Sequence, residues 1–356
     1  PAFMHVYHPG GVLPDLPLKN VTVFMKNFNK FERIHDIGAD PNDVPAPITR
    51  DWNETVKISL TAQEVIAEIA EGIYFNYWTF DKQVPGPMLR VREGDMVELT
   101  LYNHPSSLHP HTIDLHAVTG PGGGAAFLQV DPGASKTLAW KALQPGLYIY
   151  HCATANVSTH NSHGQYGLIL VEPKEGLPQV DKEFYIVQGE LYTKGTIGRK
   201  GLTIFDGNAL LDGLPNYVTF NGRIEADGSP RMKVKTGERV RIFVGNGGVN
   251  LISSFHPIGE IFDTVYPEGG IGGPLFKNIQ TTAVLPGGSA IVEFTAEVPG
   301  NIVLVDHALG RMNKGAWAII EVEGDARPDI YNPINPATNT ETSQTTDRAS
   351  QHQMHQ

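Results

Sequence analysis

Residues 91–103, Val-Arg-Glu-Gly-Asp-Met-Val-Glu-Leu-Thr-Leu-Tyr-Asn, recur as residues 234–246, Val-Lys-Thr-Gly-Glu-Arg-Val-Arg-Ile-Phe-Val-Gly-Asn. Pro132-Gly133 and Pro145-Gly146 have counterparts in Pro286-Gly287 and Pro299-Gly300, at the same internal spacing, and Gly167–Glu172 has one in Gly315–Ile320. Self-similarity on this scale means that one structural unit is used twice. The unit is β: Val56 to Leu60 and Met96 to Leu101 alternate apolar and polar residues, the period of a half-buried strand. The 38 glycines and 26 prolines are spread along the chain as turn signals. The expectation is an all-β chain of two tandem sandwich or Greek-key domains, residues 51–175 and 176–325. They are joined near Pro173 to Asp181, with an N-terminal arm over 1–50 and a polar arm and tail over 326–356. Within this scheme a short amphipathic helix is expected in Ala62 to Ala70, and a long surface loop from Tyr192 to Leu214. His5, His8 and His35 read as part of a surface arm.

The formal charge of -11 argues against nucleic acid and against an anionic membrane surface as partners. No apolar run approaches the length of a membrane-spanning helix. The chain opens on Pro1-Ala2-Phe3, which reads as a mature or trimmed start, so export is not legible directly.

Cys152 is the only cysteine and cannot form an internal disulfide. It follows the strand-like Leu147 to Tyr150 and precedes His160 and Gln165 on one loop. A thiolate, an imidazole and a weak axial donor are three parts of a blue-copper site, which needs a second histidine from elsewhere. A buried structural cysteine beside a histidine-rich loop explains the same residues. His163 is the poorer ligand candidate, because its matching axial position is the apolar Leu168.

In His109-Pro110-His111-Thr112-Ile113-Asp114-Leu115-His116, a regular strand would turn His111 and His116 to opposite faces, with Asp114 on the face of His116. His151 and Cys152, as neighbours, also face opposite ways, so two stretches independently imply two metals. His256 and His307 are each a lone histidine in an apolar run, a pattern that is more often structural than ligating.

From about Asn53 to Glu323 these motifs fall in order and resemble the copper-containing nitrite reductases, a two-domain cupredoxin family. Gly176 to Gly189 and Val244 to Gly248 resemble in particular the class to which the outer-membrane enzyme of Neisseria belongs. The resemblance implies two cupredoxin-like domains, a homotrimer and two coppers per subunit. It implies His111, Cys152 and His160 as type 1 ligands, with Gln165 in the axial position where the family has methionine. It implies His116 and His151 as type 2 ligands, with His307 supplied across the subunit interface. Asp114 and His256 match the catalytic pair that shares a water, and Ile258 the residue over the substrate. The implied reaction is one-electron reduction of nitrite to nitric oxide. The implied donor is a small soluble cytochrome c or cupredoxin, and the implied location is periplasmic or outer-membrane-associated. A harder axial oxygen is expected to lower the type 1 potential.

A two-domain multicopper oxidase is the nearest competing enzyme. Of 14 histidines, only His109 and His111 form a His-x-His pair, and Cys152 is followed by Ala153, so that reading is weak. A non-enzymatic electron-transfer cupredoxin leaves His116, His151 and His307 without a purpose. The same fold acting on hydroxylamine or nitric oxide remains an alternative that Gln165 raises.

Overall fold

The structure, a computed structural model, describes residues 26–224 and 231–334; His5, His8 and most of the polar tail lie outside the described residues. Nine strands come first: β1 (Glu32–Ile34), β2 (Thr55–Ala70), β3 (Ile73–Phe80), β4 (Leu89–Arg92), β5 (Met96–Asn103), β6 (Asp114–Leu115), β7 (Ser135–Lys141), β8 (Gly146–His151) and β9 (Tyr166–Glu172). Eleven follow: β10 (Lys182–Leu191), β11 (Gly201–Leu202), β12 (Tyr217–Phe220), β13 (Met232–Lys235), β14 (Arg239–Asn246), β15 (Ser253–Ile258), β16 (Thr264–Tyr266), β17 (Thr282–Val284), β18 (Ser289–Thr295), β19 (Gly300–Asp306) and β20 (Trp317–Glu323). The α-helices are short: α1 (Ala125–Leu128), α2 (Val157–Ser162), α3 (Gly207–Leu211) and α4 (Leu309–Met312). None of the helices among the described residues is long and apolar enough to cross a membrane.

The strands form four sheets, and the repeat governs their order. The path β3-β2-β5-β7 in one sheet is matched by β12-β10-β14-β18 in another; β4-β9-β8-β6 is matched by β13-β20-β19-β15. The repeated segment ends in Asn103 and in Asn246, and both do the same work. Asn103 Nδ2 donates to the carbonyls of His109 and Val130. Asn246 Nδ2 donates to those of Leu251 and Val284. Each asparagine thus ties two loops at a strand end and satisfies backbone acceptors that burial would otherwise leave costly.

Three apolar clusters hold the sheets. One lies within the first half, around Leu99, Ile113, Tyr150, Cys152 and Ile169. A second lies within the other half, around Phe184, Val244, Phe255 and Leu304. A third spans both, with Val65, Phe75, Ile149 and Leu168 packed among Tyr185, Phe243 and Ile291. Arg90 pairs with Glu172 of its own half at 3.0 Å and, across the halves, with Glu183 at 2.8 Å; Glu183 also pairs with Arg241 at 2.8 Å, which pairs with Glu293 at 2.6 Å. Arg90 and Arg241 are both nearly inaccessible, as are Glu172 and Glu293, so removing either arginine would strand a buried carboxylate at a cost of roughly 3–5 kcal/mol.

Several expectations change. Residues 62–70 are strand, not helix: they continue β2 and pair with β3. Gln63 and Glu64 are buried there among apolar neighbours, so both faces are covered and the period-two signal is lost. Residues 192–214 are not a plain surface loop, since they contain β11 and α3 and bury Tyr192 and Leu210. The described part of the N-terminal arm is docked: β1 pairs in parallel with β2, and Ile37 and Ala39 are buried. Residues 111–116 are not a regular strand; only Asp114 and Leu115 form β6, and His111 makes an isolated bridge with Val130.

Candidate metal centres

Strand β8 sorts the site. Leu147 and Ile149 point into the cluster that spans the halves, while Tyr150 and Cys152 belong to the first half's own core. The alternation carries past the strand end, so His151 and Cys152 leave in opposite directions.

Cys152 meets His111 and His160. Its sulfur is 3.3 Å from His160 Nδ1 and 4.0 Å from His111 Nδ1, and Gln165 Oε1 is 3.2 Å from His160 Nδ1. The His111, Cys152 and His160 donor atoms lie within 4.8 Å of one another, and all three residues and Gln165 are buried. Four elements deliver them: the bridge at His111, the end of β8, α2, and the residue before β9. Thr112 N donates to the sulfur at 3.5 Å, and Thr154 Oγ1 is at the same distance. Burial alone would push the Cys152 thiol up; the His111 imidazole, the Thr112 amide and Thr154 outweigh it and bring the thiol below its ordinary value. Burial drives the His160 imidazole down to about 3, leaving it neutral with a lone pair to give. The Gln165 amide nitrogen and His111 Nε2 are buried without hydrogen-bond partners among the described residues. A thiolate, two neutral imidazoles and an amide oxygen converging in this way fit copper.

On the other side, His151 meets His116 and Asp114. His116 Nε2 and His151 Nε2 are 3.1 Å apart, and Asp114 Oδ2 is 3.9 Å from His151 Nε2. His151 Nδ1 donates to the carbonyl of Cys152 at 3.0 Å, because a carbonyl can only accept. That leaves Nε2 as the lone-pair atom aimed at the cluster. Desolvation of its ring among neighbouring side chains, then the nearby His151, lowers the His116 pKa although the residue as a whole is exposed, and Asp114 opposes them. The Asp114 carboxylate sits against Gly123, where an added Cβ would come within 1.8 Å of Oδ1. Two imidazole lone pairs and a carboxylate this close repel unless a cation or protons lie between them, so the set also fits a metal.

His256 and His307 come together with each other, their rings 5.0 Å apart and edge-on. His256 lies on β15 and His307 directly follows β19, the counterparts of β6 and β8 in the second half. His256 Nδ1 donates to the carbonyl of Gln280 at 2.6 Å. Within one chain neither joins the Asp114–His116–His151 group. Ile258, two residues beyond His256, is exposed.

Sequence reasoning passed over Glu64. It is wholly buried and accepts from Leu108 N, His109 N and His109 Nδ1. Burial pushes its carboxyl up, but the hydrogen bond from His109 and the nearby His111 imidazole outweigh it and hold it at about 2. Its only sequence signal is an acidic residue at the centre of an otherwise inward-facing run.

A family model described as multicopper oxidase matches residues 61–176. The copper-containing nitrite reductase of Neisseria meningitidis is 54% identical over 290 residues, covering 81% of this chain and 75% of that protein. The enzyme of the same name from Pseudomonas chlororaphis is 36% identical over 74% of this chain and 77% of its own length. Among solved structures, the copper nitrite reductase of Nitrosomonas europaea superposes with a TM-score of 0.68 at 34% identity, covering 77% of this chain and 96% of that one. With a relative this similar over most of its length and a matching fold, the chain belongs to the copper-containing nitrite reductases.

Proposed function

We propose that the protein reduces nitrite to nitric oxide, with a type 1 copper at His111–Cys152–His160–Gln165 and a type 2 copper at His116–His151. The observation that carries the reading is the junction at the end of β8, where consecutive residues reach the two clusters. Bound there, copper supplies one-electron redox chemistry at both clusters and an open position for nitrite at the second. Cys152 and His151 form the covalent link that joins them. The reaction consumes one nitrite, one electron and two protons and yields nitric oxide and water.

Asp114 lies beside the His151 nitrogen that faces the second cluster, so its carboxyl is the group placed to hold a proton for the departing oxygen. His256 and Ile258 approach that site from a neighbouring copy, as does His307 of the partner subunit, in a homotrimer. His256 would share the proton-bearing water with Asp114, and Ile258 would limit how the anion lies. The buried first cluster takes its electron from a small soluble cytochrome c or cupredoxin, in the periplasm or at the outer membrane.

The test is Asp114→Asn. Copper analysis should return two coppers per subunit in both proteins, while nitrite-dependent nitric oxide formation falls by roughly 100-fold or more, the scale of a lost general acid. One copper per subunit in the parent, or undiminished turnover in the variant, would overturn the reading.

A further inference from the structure

We infer that Glu64 is a positioning residue for the first copper cluster: its buried carboxylate faces His111 Nε2, orients that ring through Nδ1, and biases the cluster toward its oxidised metal. The inference rests on the type 1 reading and deepens it.

The geometry is an accounting of donors and acceptors. His111 turns Nδ1 toward the Cys152 sulfur, at 4.0 Å. A ring that ligates through Nδ1 must carry its proton on Nε2, and that N–H is buried. Glu64 Oε1 lies 3.6 Å from His111 Nε2, and His111 Nε2 has no hydrogen-bond partner among the described residues. The other carboxylate oxygen, Oε2, is buried and also without a partner among the described residues. The ring has a buried N–H short of an acceptor and the carboxylate beside it has one oxygen short of a donor, so the two groups pair when the ring is held from its other side.

The anion is itself anchored. Leu108 N, His109 N and His109 Nδ1 donate to Oε1 at 2.8, 2.9 and 2.9 Å. Glu64 thus grips the segment that presents His111, from a strand on the other sheet of the first half. A carboxylate behind a ligating imidazole fixes its orientation and raises its basicity. A more basic ligand, with a fixed negative charge in a low-dielectric core, stabilises Cu(II) over Cu(I). His109 moderates this by sharing the carboxylate's charge through its own N–H.

Two variants separate a positioning role from a merely structural one, because they should move the potential in opposite directions. Glu64→Gln keeps the shape and an acceptor but removes the charge. Its copper content should equal that of the parent, and its first-cluster midpoint potential should rise by at least a tenfold change in the reduction equilibrium, about 59 mV for one electron. His109→Ala removes a donor from Oε1 at a partly exposed position and should lower the potential. Both are read by redox titration of the visible charge-transfer band in the copper-loaded protein. An unchanged or lowered potential in Glu64→Gln overturns the inference. Should Glu64→Gln not fold, His109→Ala decides alone: a lower potential supports the inference and an unchanged or higher one overturns it. If the parent lacks the charge-transfer band, the type 1 reading itself has failed; a band that is present but unmoved by either variant defeats only the role of Glu64.

Discussion

Gln165 offers the first cluster an amide oxygen, 3.2 Å from His160 Nδ1, and its buried amide nitrogen finds no acceptor among the described residues. Amide oxygen is a harder donor than thioether sulfur and favours Cu(II). Met at this position has similar length, no polar atom to strand, and a softer ligand. Gln165→Met should therefore raise the first-cluster potential by at least about 59 mV, a tenfold shift for one electron. It should also remove the cost of the unpaired N–H, roughly 1–3 kcal/mol. Redox titration and denaturation of the copper-loaded proteins check the two effects; a potential in the parent at or above the variant's would contradict the ligand role. The contrast between Gln165 and Glu64 explains what was legible at this scale. Cys152, His160 and Gln165 lie on one short stretch, so their chemistry reads directly from spacing. Glu64 comes to His111 only through the pairing of distant strands, and no local pattern in residues 62–70 announces that contact.

At the scale of elements, the internal repeat carried most of the fold: it anticipates β5 and β14 as equivalent strands, each closed by an asparagine that ties two loops. The segment Val244 to Gly248 shows why its glycines stand where they do. A Cβ on Gly247 would fall 2.2 Å from the Tyr166 ring, and one on Gly248 would fall 2.3 Å from Glu190 Oε1. The loop is thus pressed between the start of β9 and the end of β10. Glu190 accepts from Asn250 N at 3.1 Å, from Leu251 N at 2.8 Å and from the Tyr192 hydroxyl. Burial raises its carboxyl above the ordinary value, and these donors only partly offset that. A folded carboxyl that keeps its proton to higher pH means the unfolded chain releases protons first as pH rises. The associated stability is full below the ordinary glutamate value of about 4.3 and is lost as pH rises through the folded pKa. Glu190→Gln keeps the acceptor oxygen and removes the titration. Denaturation midpoints measured upward from about pH 4, at fixed copper and protein concentration, should fall less steeply in the variant. Parallel profiles would show that the loop does not feel the charge of Glu190. What the repeat did not foretell is the strand character of residues 62–70, where burial on both faces erases alternation.

At the scale of the molecule, the two halves keep the same strand order but divide the chemistry. In the first, β6 and β8 end at Asp114, His116, His151 and Cys152; in the second, the matching β15 and β19 carry only His256 and His307. One chain gathers Asp114, His116 and His151, two of them only half-buried and His116 exposed, and leaves His307 apart from them. If the second cluster is completed within one chain, each chain works alone. If it is completed across a closed ring, His116 and His307 of one working site come from different chains, and the two arrangements differ in genetics. His116→Ala and His307→Ala should each abolish nitrite-dependent nitric oxide formation when present in every subunit. Co-assembled in equal amounts, they should restore it in about a quarter of the interfaces, those where an intact His116 meets an intact His307 from the neighbour. Completion within one chain allows no such recovery, since every subunit would then lack one ligand of its own site. The visible band of the first cluster should be unchanged in all three preparations, because none of its four residues is touched. Recovery of turnover with an unaltered band would assign the second centre to the interface; no recovery, with mixed oligomers shown to be present, would return it to the single chain.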